Sequence, residues 1–185
     1  MLYLASKSPR RRELLRRLDV SFEVLETDVD ETWDGTGEID AFLVNLALHK
    51  ARAGKRLVAD NDAVLAADTE VVIDGQILGK PRDEDGAVQM LQTLAGRTHQ
   101  VFSAIALIYT VERTALKISR VSFKSLSMDE CRNYCHHGES LDKAGAYAIQ
   151  GRAAAFITRL EGSYSGVMGL PLRETRELLQ KAGIG

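Results

Sequence analysis

Three stretches of this chain carry side chains whose types and spacing suit phosphate chemistry. The first is Ser6-Lys7-Ser8-Pro9-Arg10-Arg11-Arg12. Ser8 and Pro9 mark the start of a helix. A helix N-terminus bears about half a positive charge and favours acidic residues in its first turn, yet this first turn holds three arginines. Cations there lose roughly 0.3–1 kcal/mol each unless an anion joins them. Backbone N–H groups, the Ser6 or Ser8 hydroxyls and two guanidinium forks together make an anion cradle with bidentate phosphate recognition. Set against the apolar stripe Leu14, Leu15, Leu18 at about 100° per residue, Arg11 falls on the buried face, Arg10 flanks it and Arg12 points to solvent. The competing reading is three stems snorkelling along apolar surface.

The second stretch surrounds Lys50. It lies seven residues after Leu43 and four after Leu46, on the buried face of its helix. It is either a functional cation or a lysine welcomed by a helix C-terminal end. The third is "AVLAADTEVV", where Asp68 interrupts an apolar run. A carboxylate inside a buried strand is costly unless it is paired, hydrogen-bonded or metal-bound. Asp68 therefore reads as a general base or metal ligand, with a structural aspartate bonded to nearby backbone as the alternative. Asp28, Asp30 and Glu31 crowd one acidic turn. One of them, with Asp68, could hold Mg²⁺, which needs only one or two carboxylates plus phosphate oxygens and waters. Lys80 sits in "DGQILGKP", which lacks the order of a P-loop but could aim a point charge at phosphate. Cations around a buried carboxylate and acidic metal candidates are the parts for metal-assisted attack by water on a phosphate ester or anhydride.

The elements that must position these residues follow from periodicity. "LYLA" reads as a short buried strand before the arginine helix, and residues 20–26 as a second strand. Residues 38–53 read as a helix stopped by Gly54. "AVLAADTEVVIDGQIL" reads as strand and hairpin about an Asp74-Gly75 turn. Residues 83–95 form a helix closed by Gly96. "HQVFSAIALIYT" and "TALKISRVSFKSL" are two long antiparallel strands, Ser127 to Glu130 a capping box, "AAAFITRL" a strand, and "LPLRETRELLQKAG" a closing helix. Strands and helices alternate, with several hairpins, which predicts an α/β fold with a mixed sheet flanked by helices.

The 185 residues suit one domain, or two small lobes sharing one core around a central cleft. A net charge of −2 excludes coating nucleic acid by bulk charge. No apolar run approaches the roughly 18 residues of a membrane span, and the basic residues follow the first apolar stretch, the wrong order for a secretion signal. The expectation is a cytoplasmic protein with no membrane partner and no stable nucleic-acid partner. Cys131 and Cys135, spaced i, i+4 and followed by His136-His137, read as two buried reduced thiols.

At this point the chain resembles the Maf family of nucleoside triphosphate pyrophosphatases. The resemblance rests on "LASKSPRRRELL", "ETDVDET", "LALHKARAG", "ADTEVVIDGQILGKP", "LAGRTHQV", "DKAGAYAIQG" and "GSYSGVMGLPL" in that order, from about residue 2 to residue 180. It implies a fold similar to the inosine triphosphate pyrophosphatases, a homodimer, and hydrolysis of a nucleoside triphosphate to monophosphate and pyrophosphate with Mg²⁺ or Mn²⁺. Carried over by motif, it gives Ser8, Arg10 and Arg11, then Glu31, Lys50, Asp68 with Thr69, and Lys80, with Asp68 as proton acceptor. "DKAGAYAIQG" resembles the branch acting on dTTP and UTP, in which the positions of Arg10, Thr69 and Gln150 are linked to substrate choice. The Gln150 amide offers one donor and one acceptor, matching N3–H and O4 of thymine or uracil. Lys7 departs from a small residue usual at that place. The same resemblance links the family to removal of modified nucleotides and to arrest of cell division. The rivals are the branch acting on 7-methyl-GTP and a non-catalytic nucleotide- or nucleic-acid-binding regulator of septum formation.

Overall fold

The computed structural model describes residues 1–185. Seven strands form one sheet: β1 (Leu2–Ala5), β2 (Phe22–Leu25), β3 (Ala63–Ile73), β4 (Gln76–Leu78), β5 (Thr98–Ile108), β6 (Glu112–Phe123) and β7 (Ile157–Glu161). Their order is β2-β1-β3-β5-β6-β7, with β4 paired to β3. Six helices accompany them: α1 (Pro9–Arg16), α2 (Ile39–Lys55), α3 (Glu84–Leu94), α4 (Met128–His136), α5 (Tyr164–Met168) and α6 (Leu172–Lys181). The mixed α/β architecture expected from the sequence is therefore the one present.

The chain divides into two compact units. One comprises Met1–Thr69, Ser103–Lys117 and Gly169–Gly185, the other Glu70–Phe102 and Ile118–Met168.

In the first unit β1 pairs in parallel with both β2 and β3, with Ala5 opposite Leu25 on one side and Ala66 on the other. The chain leaves β1 through α1 to reach β2, then passes through α2 to reach β3 on the opposite side of β1. Successive crossovers to opposite sides make a topological switch point at the carboxyl end of β1, where open α/β sheets place ligands. Residues Ala63 to Asp68 are all buried, as a parallel strand covered on both faces requires. The α2 face carrying Leu43, Leu46, Ala47, Lys50, Ala51 and Gly54 is buried at helical spacing. Gly54 does not stop this helix. It lies inside it, because a Cβ there would stand 2.9 Å from Val64 Cγ1 and 3.2 Å from Ala5 Cβ. The glycine marks the close approach of α2 to the sheet.

The second unit holds the predicted hairpin, with left-handed Asp74 (φ 52°) and Gly75 (φ 72°) at its turn, the pair of conformations such a tight turn needs. β5 and β6 are sheet neighbours joined by residues 109–111, which belong to the first unit, a link short enough only for antiparallel strands. The capping box opens α4 as expected, with Ser127 and Glu130 exchanging bonds. "AAAFITRL" is strand only in its second half: Arg152–Phe156 is a 3-10 turn and β7 begins at Ile157. Alanine-rich sequence favours helical turns over strand. Cys131 and Cys135 are free and buried, and burial raises both thiol pKa values.

Candidate active site

The first unit brings most of the expected residues together. Because Ala5 pairs with Ala66, the polar loop leaving β1 begins beside the segment of β3 that carries Asp68 and Thr69. Ser8 is the N-cap of α1, its Oγ accepting from the Arg11 N–H at 3.5 Å, and its own N–H donates to Ser6 Oγ at 3.2 Å. The Arg11 guanidinium is steered from three sides. Nε donates to the Gly169 carbonyl at 2.9 Å, while the two terminal nitrogens lie 3.5 Å from Ser6 Oγ and Thr69 Oγ1. The latter two bonds are long and weak. The Thr69 hydroxyl also reaches the Gly169 carbonyl, at 3.4 Å. Arg10 is half-buried. Arg12, expected in open solvent, is half-buried as well and donates to the Lys7 carbonyl at 3.0 Å; its long stem lets the fork return to the loop before the helix.

Next to this cradle is a charged set that spacing alone did not assemble. The Lys50 ammonium is buried with 7% exposure, and Asp68 with 4%. Lys50 Nζ contacts Asp68 Oδ1 at 2.5 Å and Glu31 Oε1 at 2.8 Å. One cation thus joins a buried carboxylate on β3 to an exposed one on the acidic turn. Among the three acidic candidates there, Glu31 makes this contact, whereas Asp30 accepts from the Thr32 N–H at 2.9 Å and Asp28 is exposed. The turn is tied to α2 by Trp33, whose ring stacks on Phe42 at 5.3 Å and whose Nε1 donates to the Thr36 carbonyl at 3.1 Å.

Asp68 Oδ2 is buried without a hydrogen-bond partner, a costly state for a carboxylate oxygen. Hard oxygen donors and an unpartnered buried carboxylate oxygen fit Mg²⁺ or Mn²⁺. No group of three or more metal-ligating side chains exists, so such an ion would complete its shell with phosphate oxygens and water.

Lys80 and Gln150 belong to the second unit. Both are exposed. Lys80 lines a cavity of about 550 Å³ with Pro81, Arg82, Asp83 and one face of α3 from Asp85 to Thr93. Within that unit Gly145 (φ 67°) donates to the Gly79 carbonyl at 3.1 Å, one residue before Lys80. A Cβ on Gly145 would meet Val71 side-chain atoms at 2.9–3.0 Å, so the AGA turn and the GKP turn are built as a pair.

Sequence reasoning missed Gly169, since its role is played by a main-chain carbonyl. It also missed the buried His99–Tyr147 pair of the second unit, where His99 Nε2 lies 2.8 Å from the phenol oxygen. His99 lies in "LAGRTHQV" and Tyr147 in "DKAGAYAIQG", but no spacing or periodicity links the two stretches as partners.

An anion cradle at a switch point, beside two carboxylates held by one lysine, defines an α/β protein equipped to bind and hydrolyse a polyphosphate. The chain belongs to the Maf family: residues 1–182 match the family described as Maf-like protein. Proteins named dTTP/UTP pyrophosphatase are similar to it over nearly their whole length. That of Xanthomonas campestris pv. campestris is 52% identical over 188 residues, covering 99% of each chain. That of Methylococcus capsulatus is 49% identical over 185 residues, covering 100% of this chain and 92% of the relative. In fold the chain is similar to the Ham1 protein of Staphylococcus aureus (TM-score 0.56, 12% identity, 98% of each chain covered) and to a HAM1 protein of Coxiella burnetii (TM-score 0.51, 16% identity, 97% and 98% covered).

Proposed function

We propose that this protein hydrolyses dTTP and UTP to the nucleoside monophosphate and pyrophosphate. The observation that carries the reading is the Glu31–Lys50–Asp68 set beside the Ser8–Arg11–Thr69 cradle. Its support is the roughly half-identical relatives that bear that activity in their names.

Ser8, Arg10 and Arg11 hold the triphosphate at the N-terminus of α1, where the helix dipole and the guanidinium forks offset its charge. Lys50 keeps Glu31 and Asp68 within reach of each other despite their like charge. Those two carboxylates hold the divalent cation. When bound, the cation supplies Lewis-acid polarisation of the phosphoryl oxygens and neutralises developing charge. Asp68, whose Oδ2 is unpartnered, orients the water that attacks the α-phosphorus and accepts its proton. Lys80 is assigned to the leaving pyrophosphate and Gln150 with Thr69 to the choice of base. We place this reaction in the cytoplasm, carried out by a homodimer in which each chain is one Maf domain. No helix is long and apolar enough to cross a membrane.

The test is a panel of canonical and modified nucleoside triphosphates in water enriched in ¹⁸O, with the products resolved. Release of pyrophosphate from dTTP and UTP, with label in the monophosphate, is the expected result. Turnover confined to a methylated guanine nucleotide would move the protein to the other branch. Nucleotide binding without turnover would make it a regulator instead.

A further inference from the structure

Gln150 is exposed, so packing does not fix it and its place depends on the backbone that carries it. The Gly151 N–H donates to the Ala148 carbonyl at 3.0 Å, which puts Ile149 and Gln150 at the centre of a β-turn. Each end of that turn is held by a side chain from α4 or the turn just after it. At the front, the Ala148 N–H donates to the Tyr134 phenol oxygen at 3.0 Å. At the back, the Arg152 N–H donates to Glu139 Oε2 at 3.0 Å. The same carboxylate fills the space beside Gly151, where a Cβ would stand 2.2 Å from Oε2 and 2.9 Å from Cδ. The two holds are linked. Burial first, and the neighbouring Glu139 charge after it, raise the Tyr134 pKa, keeping the phenol protonated with a hydrogen to give to the carboxylate.

We propose that Glu139 is a positioning residue for base selection: with Tyr134 it clamps both ends of the Ala148–Gly151 turn and fixes where Gln150 stands. The proposal rests on the reading of Gln150 as the residue that meets the base. Glu139 acts through the backbone of Gly151 and Arg152 and needs no contact with the nucleotide. Gly151 is glycine because the clamp occupies the place of a side chain.

Steady-state kinetics of the full chain on UTP, dTTP and ATP test this with Glu139→Ala, Glu139→Gln, Gln150→Ala and the double variant Glu139→Ala/Gln150→Ala. One lost hydrogen bond predicts a KM for UTP raised about fivefold in Glu139→Ala, with kcat changed by less than about twofold. The preference for UTP over ATP falls in parallel. Glu139→Gln, whose amide oxygen still accepts from Arg152, restores most of the loss. In the Gln150→Ala background the Glu139→Ala change adds nothing further to KM. Loss of preference in Gln150→Ala but not in Glu139→Ala overturns the clamp alone, as does an equal fall of kcat on all three nucleotides. An unchanged preference in Gln150→Ala overturns the base-reading role and the clamp with it. If Glu139→Ala does not fold, Tyr134→Phe carries the test: the same KM shift is expected, and an unchanged KM contradicts the proposal.

Discussion

Lys50 answers for two carboxylates, and it does so from a buried position. Removing its charge leaves Asp68 buried and uncompensated, a loss that typically costs about 3–5 kcal/mol. Lys50→Met is therefore expected to lower the urea midpoint sharply, and Lys50→Met/Asp68→Leu to recover much of the stability, since removing both charges is far cheaper than removing one. A double variant as unstable as the single one would mean that the pair is not what holds this region. His99 offers a second residue-level test. Burial lowers its pKa from the ordinary 6.5 to about 4, so the fold holds it neutral while the unfolded chain protonates it first. Between those two values the unfolded chain binds more protons, so stability falls as pH drops from 6.5 towards 4, by about 3 kcal/mol over the full window. Tm measured against pH should show this slope, and His99→Gln should flatten it. At this scale the sequence revealed cost but not partners. Asp68 announced itself by standing in an apolar run, and Lys50 by standing on an apolar face. That each is the other's counter-ion depends on the parallel register of β1 and β3 and on how closely α2 packs, which no local pattern carries.

That packing is set at the level of the elements, and Gly54 is its gauge. Alanine there would favour the helix by about 1 kcal/mol on propensity alone. The Cβ would meet Val64 at 2.9 Å and Ala5 at 3.2 Å, and overpacking of a buried contact costs about 1–3 kcal/mol. Gly54→Ala is therefore expected to lower Tm, and a rise in Tm would show that α2 has room to move. A glycine near the end of a helical pattern suggests a stop, and only the packing partner reveals that it is an approach point. The acidic turn gives the second element-level prediction. Trp33 ties it to α2 by stacking on Phe42, and Trp33→Ala should loosen Glu31 without touching the core. Outer residues that orient a metal ligand typically cost 10-fold or more in metal affinity or activity when removed. About a tenfold rise in the Mn²⁺ concentration needed for half-maximal turnover, with Tm nearly unchanged, is the expected outcome. Trp33 is the only tryptophan, so its fluorescence in the wild-type protein should report Mn²⁺ binding without turnover.

For the molecule as a whole, hydrophobic periodicity was enough to reveal the fold class, since alternating strands and helices admit few architectures. It read the hairpin and the capping box correctly because each is a local signal with a local cause. It misread "AAAFITRL", where an alanine run sits at a strand entrance and takes a helical turn. The cradle was legible because three arginines oppose a helix dipole, a conflict that an anion would relieve. The measurement that tests the central claim most directly is pyrophosphate release from dTTP and UTP, with Mg²⁺, with Mn²⁺ and with EDTA, for the wild-type protein beside Asp68→Asn. Metal-dependent release that EDTA abolishes, and that Asp68→Asn lowers by about 10²–10⁴-fold, is the predicted result. Full turnover by Asp68→Asn would contradict the account and remove the lysine-held carboxylates from the chemistry.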